Sequence, residues 1–328
     1  MKSQRRYAIT TGDEDGIGLE VTYKALQSAK LPRGVQIFVF QSSRTPKFLE
    51  RLQKKIENKF KTAHIACGVF RGTEIFKSSA QIVFLKCSSA PTQWVLDAAG
   101  LCLSGQFAAL ITGPLSKVSI HEFGLKQVGH TEILKTLSNS KNLNMAFLGK
   151  HFHVVLASGH IPLSDVSKKL TVDVLKVAIA RANALRGVLP TRQRTKPLAL
   201  VGLNPHAGEL GLIGNEEQDV FRKAFRWAHS RKITMVGPLV PDAAFLRKNW
   251  SQYSVFICPY HDQGLIPFKM IHGAESGVHI TLGLPFVRTS VDHGTAKDLF
   301  GLNKANPNSM ADAIKWAIKF SSSEAFYE

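Results

Sequence analysis

Tyr253-Ser-Val-Phe-Ile-Cys258 is an apolar, partly β-branched run of the kind a buried strand requires, and Pro259 stops it. A polar cluster, Tyr260-His-Asp-Gln-Gly264, follows at once. The same pattern recurs along the chain. Phe107 to Thr112 ends in Gly113-Pro114, and His153 to Ala157 runs into Ser158-Gly-His160-Ile-Pro162. Leu198 to Leu203 ends in Asn204-Pro-His206-Ala-Gly208. Short apolar strands separated by helical stretches define an α/β chain, and in an open α/β sheet ligands bind at the carboxyl ends of the strands. His261, Asp262 and Gln263 are therefore expected at a strand end facing a crevice.

At 328 residues the chain is long enough for one large or two medium α/β domains, and its hydrophobic fraction of 44% suits a real core. No apolar run reaches the roughly 18 to 20 residues that span a bilayer, and Met1 to Tyr7 has no apolar signal region. The cysteines, Cys67, Cys87, Cys102 and Cys258, are scattered without a C-x-x-C pair. That spacing suits neither a disulfide framework nor a structural zinc site, and the expectation is a cytoplasmic protein. A net charge of +18 raises the question of nucleic acid. The basic residues are spread along the chain without an aromatic-interleaved stripe, so the reading is a solvated basic surface that helps attract an anionic substrate, with no nucleic-acid or membrane partner.

Tyr7 to Thr11 reads as a strand, and Gly12 to Gly18 as a loop entering a helix over Leu19 to Ala29. Its three acidic side chains argue against a phosphate there. Val35 to Phe40 is a second strand, Pro46 to Phe60 a Lys-rich amphipathic helix, and Gln81 to Leu85 a strand-like run. Trp94 to Ser104 has helical spacing. Gly129-His-Thr-Glu132 opens a helix through Leu137, with Thr131 or His130 as its cap. Met145 to Leu148 and His153 to Ala157 form a hairpin, and Ser167 to Leu185 is one long helix. Glu216 to Ser230 and Ser309 to Phe320 are further helices.

His160, His206 and His261 each lie within a few residues of an apolar strand's end. One such histidine is ordinarily a hydrogen-bonded structural residue. Three at converging strand ends admit a second reading, a shared transition-metal site with positions left open for substrate. Lys269 and Arg288 are permanent cations that can hold an anion, and His279 sits near the start of the apolar segment Val278 to Val287.

Several long strings carry a more specific signal. Thr112-Gly-Pro114 with Lys117, Gly129 to Glu132, Leu203 to Glu209, Gly237-Pro-Leu239 with Asp242, Tyr260 to Gly264 and Thr281 to Ala296 occur in order across the chain. Together they resemble the 4-hydroxythreonine-4-phosphate dehydrogenase (PdxA-like) family of vitamin B6 biosynthesis. Gly16-Ile-Gly18 with Glu20, and His293 to Ala296 with Asp298, Gly301 and Asn306-Pro307, are similar to the wider isocitrate/isopropylmalate dehydrogenase superfamily.

The resemblance implies a two-domain α/β/α, isocitrate/isopropylmalate dehydrogenase-like subunit. Residues 1–125 with 286–328 would form a terminal, dinucleotide-side domain, and residues 126–285 a central metal and dimer side. It implies a homodimer with the active site completed across the interface, NAD or NADP as cofactor, and one divalent ion such as zinc, magnesium or cobalt. The metal ligands it implies are His160, His206 and His261. His130, Thr131, Lys269, His279 and Arg288 match substrate-binding positions, and Asp242, Asp262 and Lys269 are the acid–base candidates. The dinucleotide would lie along His293, Gly294, Thr295 and Asn306, which accounts for the lack of a G-x-G-x-x-G fingerprint. The implied reaction oxidises 4-phosphooxy-L-threonine to a β-keto acid that decarboxylates to 3-amino-2-oxopropyl phosphate. The alternative is the same chemistry on phosphorylated threonate, erythronate or a related hydroxy acid. Two departures favour that alternative: the first loop, Thr10 to Glu20, lacks the family's two prolines, and His279 replaces its usual Asn.

Overall fold

The structure is a computed structural model that describes residues 5–67, 74–273 and 276–323. The chain begins with β1 (Arg5–Thr10), α1 (Gly18–Ser28), β2 (Val35–Ser42), α2 (Lys47–Lys59), β3 (Thr62–Cys67) and β4 (Ile82–Cys87). Then come α3 (Pro91–Leu103), β5 (Ala109–Thr112), α4 (Lys117–Glu122), α5 (His130–Leu137), β6 (Asn144–Leu148) and β7 (His153–Leu156). The middle of the chain supplies α6 (Leu163–Lys169), α7 (Val172–Val188), α8 (Thr191–Arg194), β8 (Leu198–Val201), α9 (Arg222–Ser230), β9 (Met235–Leu239) and α10 (Pro241–Ala244). It closes with β10 (Phe256–Cys258), α11 (His261–His272), β11 (Val278–Leu282), β12 (Val287–Val291) and α12 (Asn308–Phe320). None of the described helices is long and apolar enough to cross a membrane.

Two compact units result, Met1–Lys141 with Leu284–Ser322, and Asn142–Gly283. In the first unit the described strands run in the order β3-β4-β2-β1-β5-β12, and every pair is parallel. Parallel strands are covered on both faces, so they need unbroken apolar runs. Ile-Phe-Val-Phe in β2 and Ile-Val-Phe-Leu in β4 supply them, and all of these side chains are buried. Phe38, Phe76 and Phe107 meet edge-on or tilted at 5.2 to 5.6 Å, a favoured aromatic arrangement. The α1 helix packs on α2 and α12, while α3 packs on α4 and α5.

In the second unit the order is β11-β6-β7-β10-β8-β9. β6 is antiparallel to both β11 and β7, whereas β7, β10, β8 and β9 are mutually parallel. Phe147, Phe152, Val154, Leu156, Phe256 and Phe268 form its buried core. The expected hairpin of β6 and β7 is present.

Three local expectations need correction. The helix expected over Ser167 to Leu185 is two helices, because the Thr171 side chain accepts from Val174 N–H and starts α7 afresh. Neither His130 nor Thr131 caps α5: the cap position is Gly129, without a side-chain bond. Edge strand β3 went unread, since its half-buried, alternating Thr-Ala-His-Ile-Ala-Cys carries no continuous apolar run.

Candidate active site

In the first unit, β1, β5 and β12 end side by side, and three tight contacts shape the loops there. A Cβ on Gly12 would stand 1.9 Å from the Pro114 carbonyl oxygen, so only glycine admits that approach. Buried Asp13 accepts from the Ser116 amide at 3.3 Å and lies 3.7 Å from Lys297 Nζ. Asp13 thus braces the loop whose prolines are missing.

Arg288, on β12, is 3% exposed and donates to Thr112 Oγ1 at 2.7 Å. Burial pushes its guanidinium down to about 9, with Glu132 opposing the shift. His130, at the start of α5, is pushed down to about 3, first by burial and then by the Arg288 charge. Its Nε2 is buried and has no hydrogen-bond partner. A buried cation beside a neutral imidazole with an unsatisfied nitrogen is a receptor for an anionic, oxygen-rich group. Thr131 lies next to them, partly buried. Thr112 was part of the quoted motifs, but its role toward Arg288 required the β5–β12 register to be known.

The loop after β12 carries the cofactor candidates. His293 Nδ1 bonds the Gly294 carbonyl at 2.9 Å, and its Nε2 is buried without a partner. A Cβ built on Gly294 meets nothing within 4 Å, so that backbone is open to a ligand. Thr295 O accepts from Ile17 N–H at 3.0 Å, and Asn306 Oδ1 accepts from the Asn308 amide at 2.9 Å. Buried Glu20 accepts from Ala305 N–H at 2.8 Å and from Lys24 at 2.6 Å, while Lys24 also donates to the carbonyls of Asn303 and Ala305. Ile17 and the α1 helix that follows it therefore fix both ends of this loop.

In the second unit, His160, His206 and His261 follow β7, β8 and β10, which are adjacent and parallel, so all three lie at one end of the sheet. Ser158 bonds the Pro259 carbonyl through both its amide and its hydroxyl, tying the first and last of these loops together. As a result the His160 and His261 rings stand 5.1 Å apart. Asp262 lies 2.8 Å from His261 Nδ1; a carboxylate there holds the proton on Nδ1 and leaves Nε2 as the ligating nitrogen. That donor set suits a divalent ion. His206 is exposed, in a turn where His206 to Leu210 all have φ between 42° and 80°, and its Nδ1 is 3.9 Å from Glu209. Among the described residues no group of three or more His, Cys, Asp or Glu side chains is gathered closely enough to hold a metal, so two of the three expected ligands are brought together.

Glu217 is the residue that sequence reasoning passed over. Its buried carboxylate accepts from the amides of Leu203 and Asn204 and from Asn204 Nδ2, each at 2.8 Å, and so sets the turn that carries His206. Asp242 is exposed in the first turn of α10, and Lys269 lies half-buried in the last turn of α11. His279 is 7% exposed on β11, its ring stacked on Phe147 at 4.9 Å and 21°.

The strand orders, with strand-end histidines, a buried anion receptor and an open loop after β12, define a ligand-binding α/β protein. The isocitrate dehydrogenase of Methylococcus capsulatus shares this fold, with a TM-score of 0.51 at 13% identity over 96% of this chain and 85% of that one. Residues 27–317 match the family described as pyridoxal phosphate biosynthetic protein PdxA, and the chain belongs to that family. It is 35% identical, over 95% of its length and 97% of the relative's, to the 4-hydroxythreonine-4-phosphate dehydrogenase of a Sulfurihydrogenibium species. It is also 36% identical to the D-threonate 4-phosphate dehydrogenase of Salmonella typhimurium, over 95% and 98% of the two chains. The crystal structure of the Klebsiella pneumoniae 4-hydroxythreonine-4-phosphate dehydrogenase superposes with a TM-score of 0.75 at 28% identity, covering 98% of this chain and all of that one. As a member of this family the chain is an oxidoreductase.

Proposed function

We propose that the chain oxidises a small phosphorylated hydroxy acid, with 4-phosphooxy-L-threonine as first substrate, in the synthesis of pyridoxal phosphate. The observation that carries this reading is the buried Arg288–His130 receptor, whose cation and unsatisfied Nε2 suit a phosphate or carboxylate. The family relationship supplies the reaction.

In the proposed reaction NAD or NADP would supply the hydride acceptor, and a divalent ion would supply Lewis acidity. The residues of the chain do the rest. Arg288 and Thr131 anchor the substrate, and His130 Nε2 meets one of its oxygens. Lys269 holds the other anionic end, and Asp242 receives the proton lost from the hydroxyl. Asp262 keeps the His261 ring oriented, and His160, His206 and His261 would hold the ion. His293, Gly294, Thr295 and Asn306 receive the dinucleotide. The β-keto acid then loses carbon dioxide and takes up a proton, giving 3-amino-2-oxopropyl phosphate. The assembly proposed is a homodimer, with the site completed across the interface.

D-threonate 4-phosphate is the second reading, favoured by the relatives bearing that name and by His279. NADH formation with each substrate, with and without a divalent ion, separates the two. Metal-dependent turnover of 4-phosphooxy-L-threonine at the higher kcat/KM supports the first; preference for the threonate supports the second. No turnover of either, with any divalent ion, overturns both.

A further inference from the structure

Cys67 and Cys87 take no part in the chemistry above, yet they are the last residues of neighbouring parallel strands. They are direct register partners, β3 to β4. Register partners in a parallel pair project to the same face, and strands lie about 4.8 Å apart, within the Cα separation that a disulfide spans. Their sulfurs are 2.8 Å apart, and all four cysteines are free thiols.

The two thiols are not equivalent. Cys67 is half-buried and therefore reachable, whereas Cys87 is buried. The contact with the Cys87 sulfur lowers the Cys67 thiol below its ordinary range, against burial and the Asp97 charge. The same contact, together with burial, raises Cys87. Cys67 is thus the thiol an oxidant reaches first, and Cys87, whose Sγ also donates to the Leu85 carbonyl, is its resolving partner. Cys102 and Cys258 are buried, with thiols raised by burial alone.

We propose that Cys67 and Cys87 form a reversible oxidation site that closes to a disulfide with hydrogen peroxide as oxidant. Cys67 sulfur takes one peroxide oxygen as the O–O bond breaks, and the other oxygen leaves as water with the thiol proton. Cys87 sulfur then attacks the sulfenic sulfur, the S–O bond breaks, and a second water departs carrying the Cys87 proton. Two thiols and one peroxide become one disulfide and two waters. Among the described strands β3 pairs only with β4, so the bond pins the edge strand of the first unit to its single neighbour. It closes the segment between residues 67 and 87, which restricts the unfolded chain.

The test is to treat the reduced, full-length protein with hydrogen peroxide, alkylate it in denaturant and map the peptides by mass spectrometry. The expected result is a Cys67–Cys87 cross-link lighter by two hydrogens and reversed by dithiothreitol, with Cys102 and Cys258 still alkylated. The cross-linked protein should melt roughly 5 °C higher. Cys87→Ser should leave Cys67 as a sulfenic acid that dimedone traps, and Cys67→Ser should leave Cys87 unreacted. Alkylation of all four cysteines after treatment overturns the proposal. So does irreversible oxidation of Cys67 without a cross-link, or a covalent dimer on a non-reducing gel in place of the internal bond.

Discussion

Arg288 and His130 show how one pair of residues sets binding against stability. Burying a guanidinium costs free energy that its bond to Thr112 offsets only in part, as its lowered pKa records. Arg288→Met should therefore hold or raise the melting temperature while lowering kcat/KM about 100-fold, chiefly through KM; a fall in melting temperature of several degrees with KM unchanged would contradict this. For His130 the folded pKa, about 3, lies below the ordinary 6.5. The unfolded chain then binds the extra proton between those values, so the stabilising contribution is intact above about 6.5 and is lost as pH falls towards 3. The slope for one proton is about 1.4 kcal/mol per pH unit. Urea unfolding from pH 7 to pH 4 should show His130→Gln losing less stability than the parent; parallel curves would remove His130 as the cause. His279→Asn, which removes the ring stacked on Phe147, should cost about 1 kcal/mol in the same assay.

At the scale of elements, β1, β2, β5, β7, β8 and β10 were readable because buried parallel strands demand short continuous apolar stretches, and each of them contains one. β3 was not readable, because an edge strand with alternating burial has a weaker pattern. The break between α6 and α7 was missed for a different reason: Thr171 lies within one continuous helical apolar pattern, and its bond to Val174 N–H is what singles it out as a cap. Likewise Gln263 donates to the Gly202 carbonyl at 2.6 Å, joining the ends of β10 and β8, a link no sequence spacing displays. The turn at His206 depends most on such a distant partner. Six consecutive residues with positive φ, four of them not glycine, are costly backbone that must be held from outside. Glu217 does this through three bonds, so Glu217→Ala strands two backbone amides and should cost about 2 to 3 kcal/mol of stability. If His206 is a ligand, metal affinity should fall with it; calorimetric titration of a divalent ion into both proteins checks the second effect, and chemical unfolding the first.

For the whole molecule, the order of strands within each unit explains why residues far apart in sequence were legible as one set. His160 and His261 are separated by a hundred positions, yet β7 and β10 are neighbours and their following loops share the Ser158–Pro259 bonds. His206 was placed at the same sheet end by the same rule, but its ring orientation depends on the turn and was not legible. The net charge of +18 belongs to no single element, and neither the fold nor the anion receptor requires it. Its physical consequence is a positive field that extends about 30 Å at 0.01 M salt and about 8 Å at 0.15 M. A phosphorylated substrate is drawn by that field before contact, whereas Arg288, being buried, is screened far less once the substrate is bound. The two contributions separate in kinetics. At saturating dinucleotide, raising sodium chloride from about 10 mM to about 500 mM should lower kcat/KM several-fold while kcat stays within about two-fold. If kcat/KM is flat across that range, the surplus charge serves solubility and the buried receptor alone attracts the substrate.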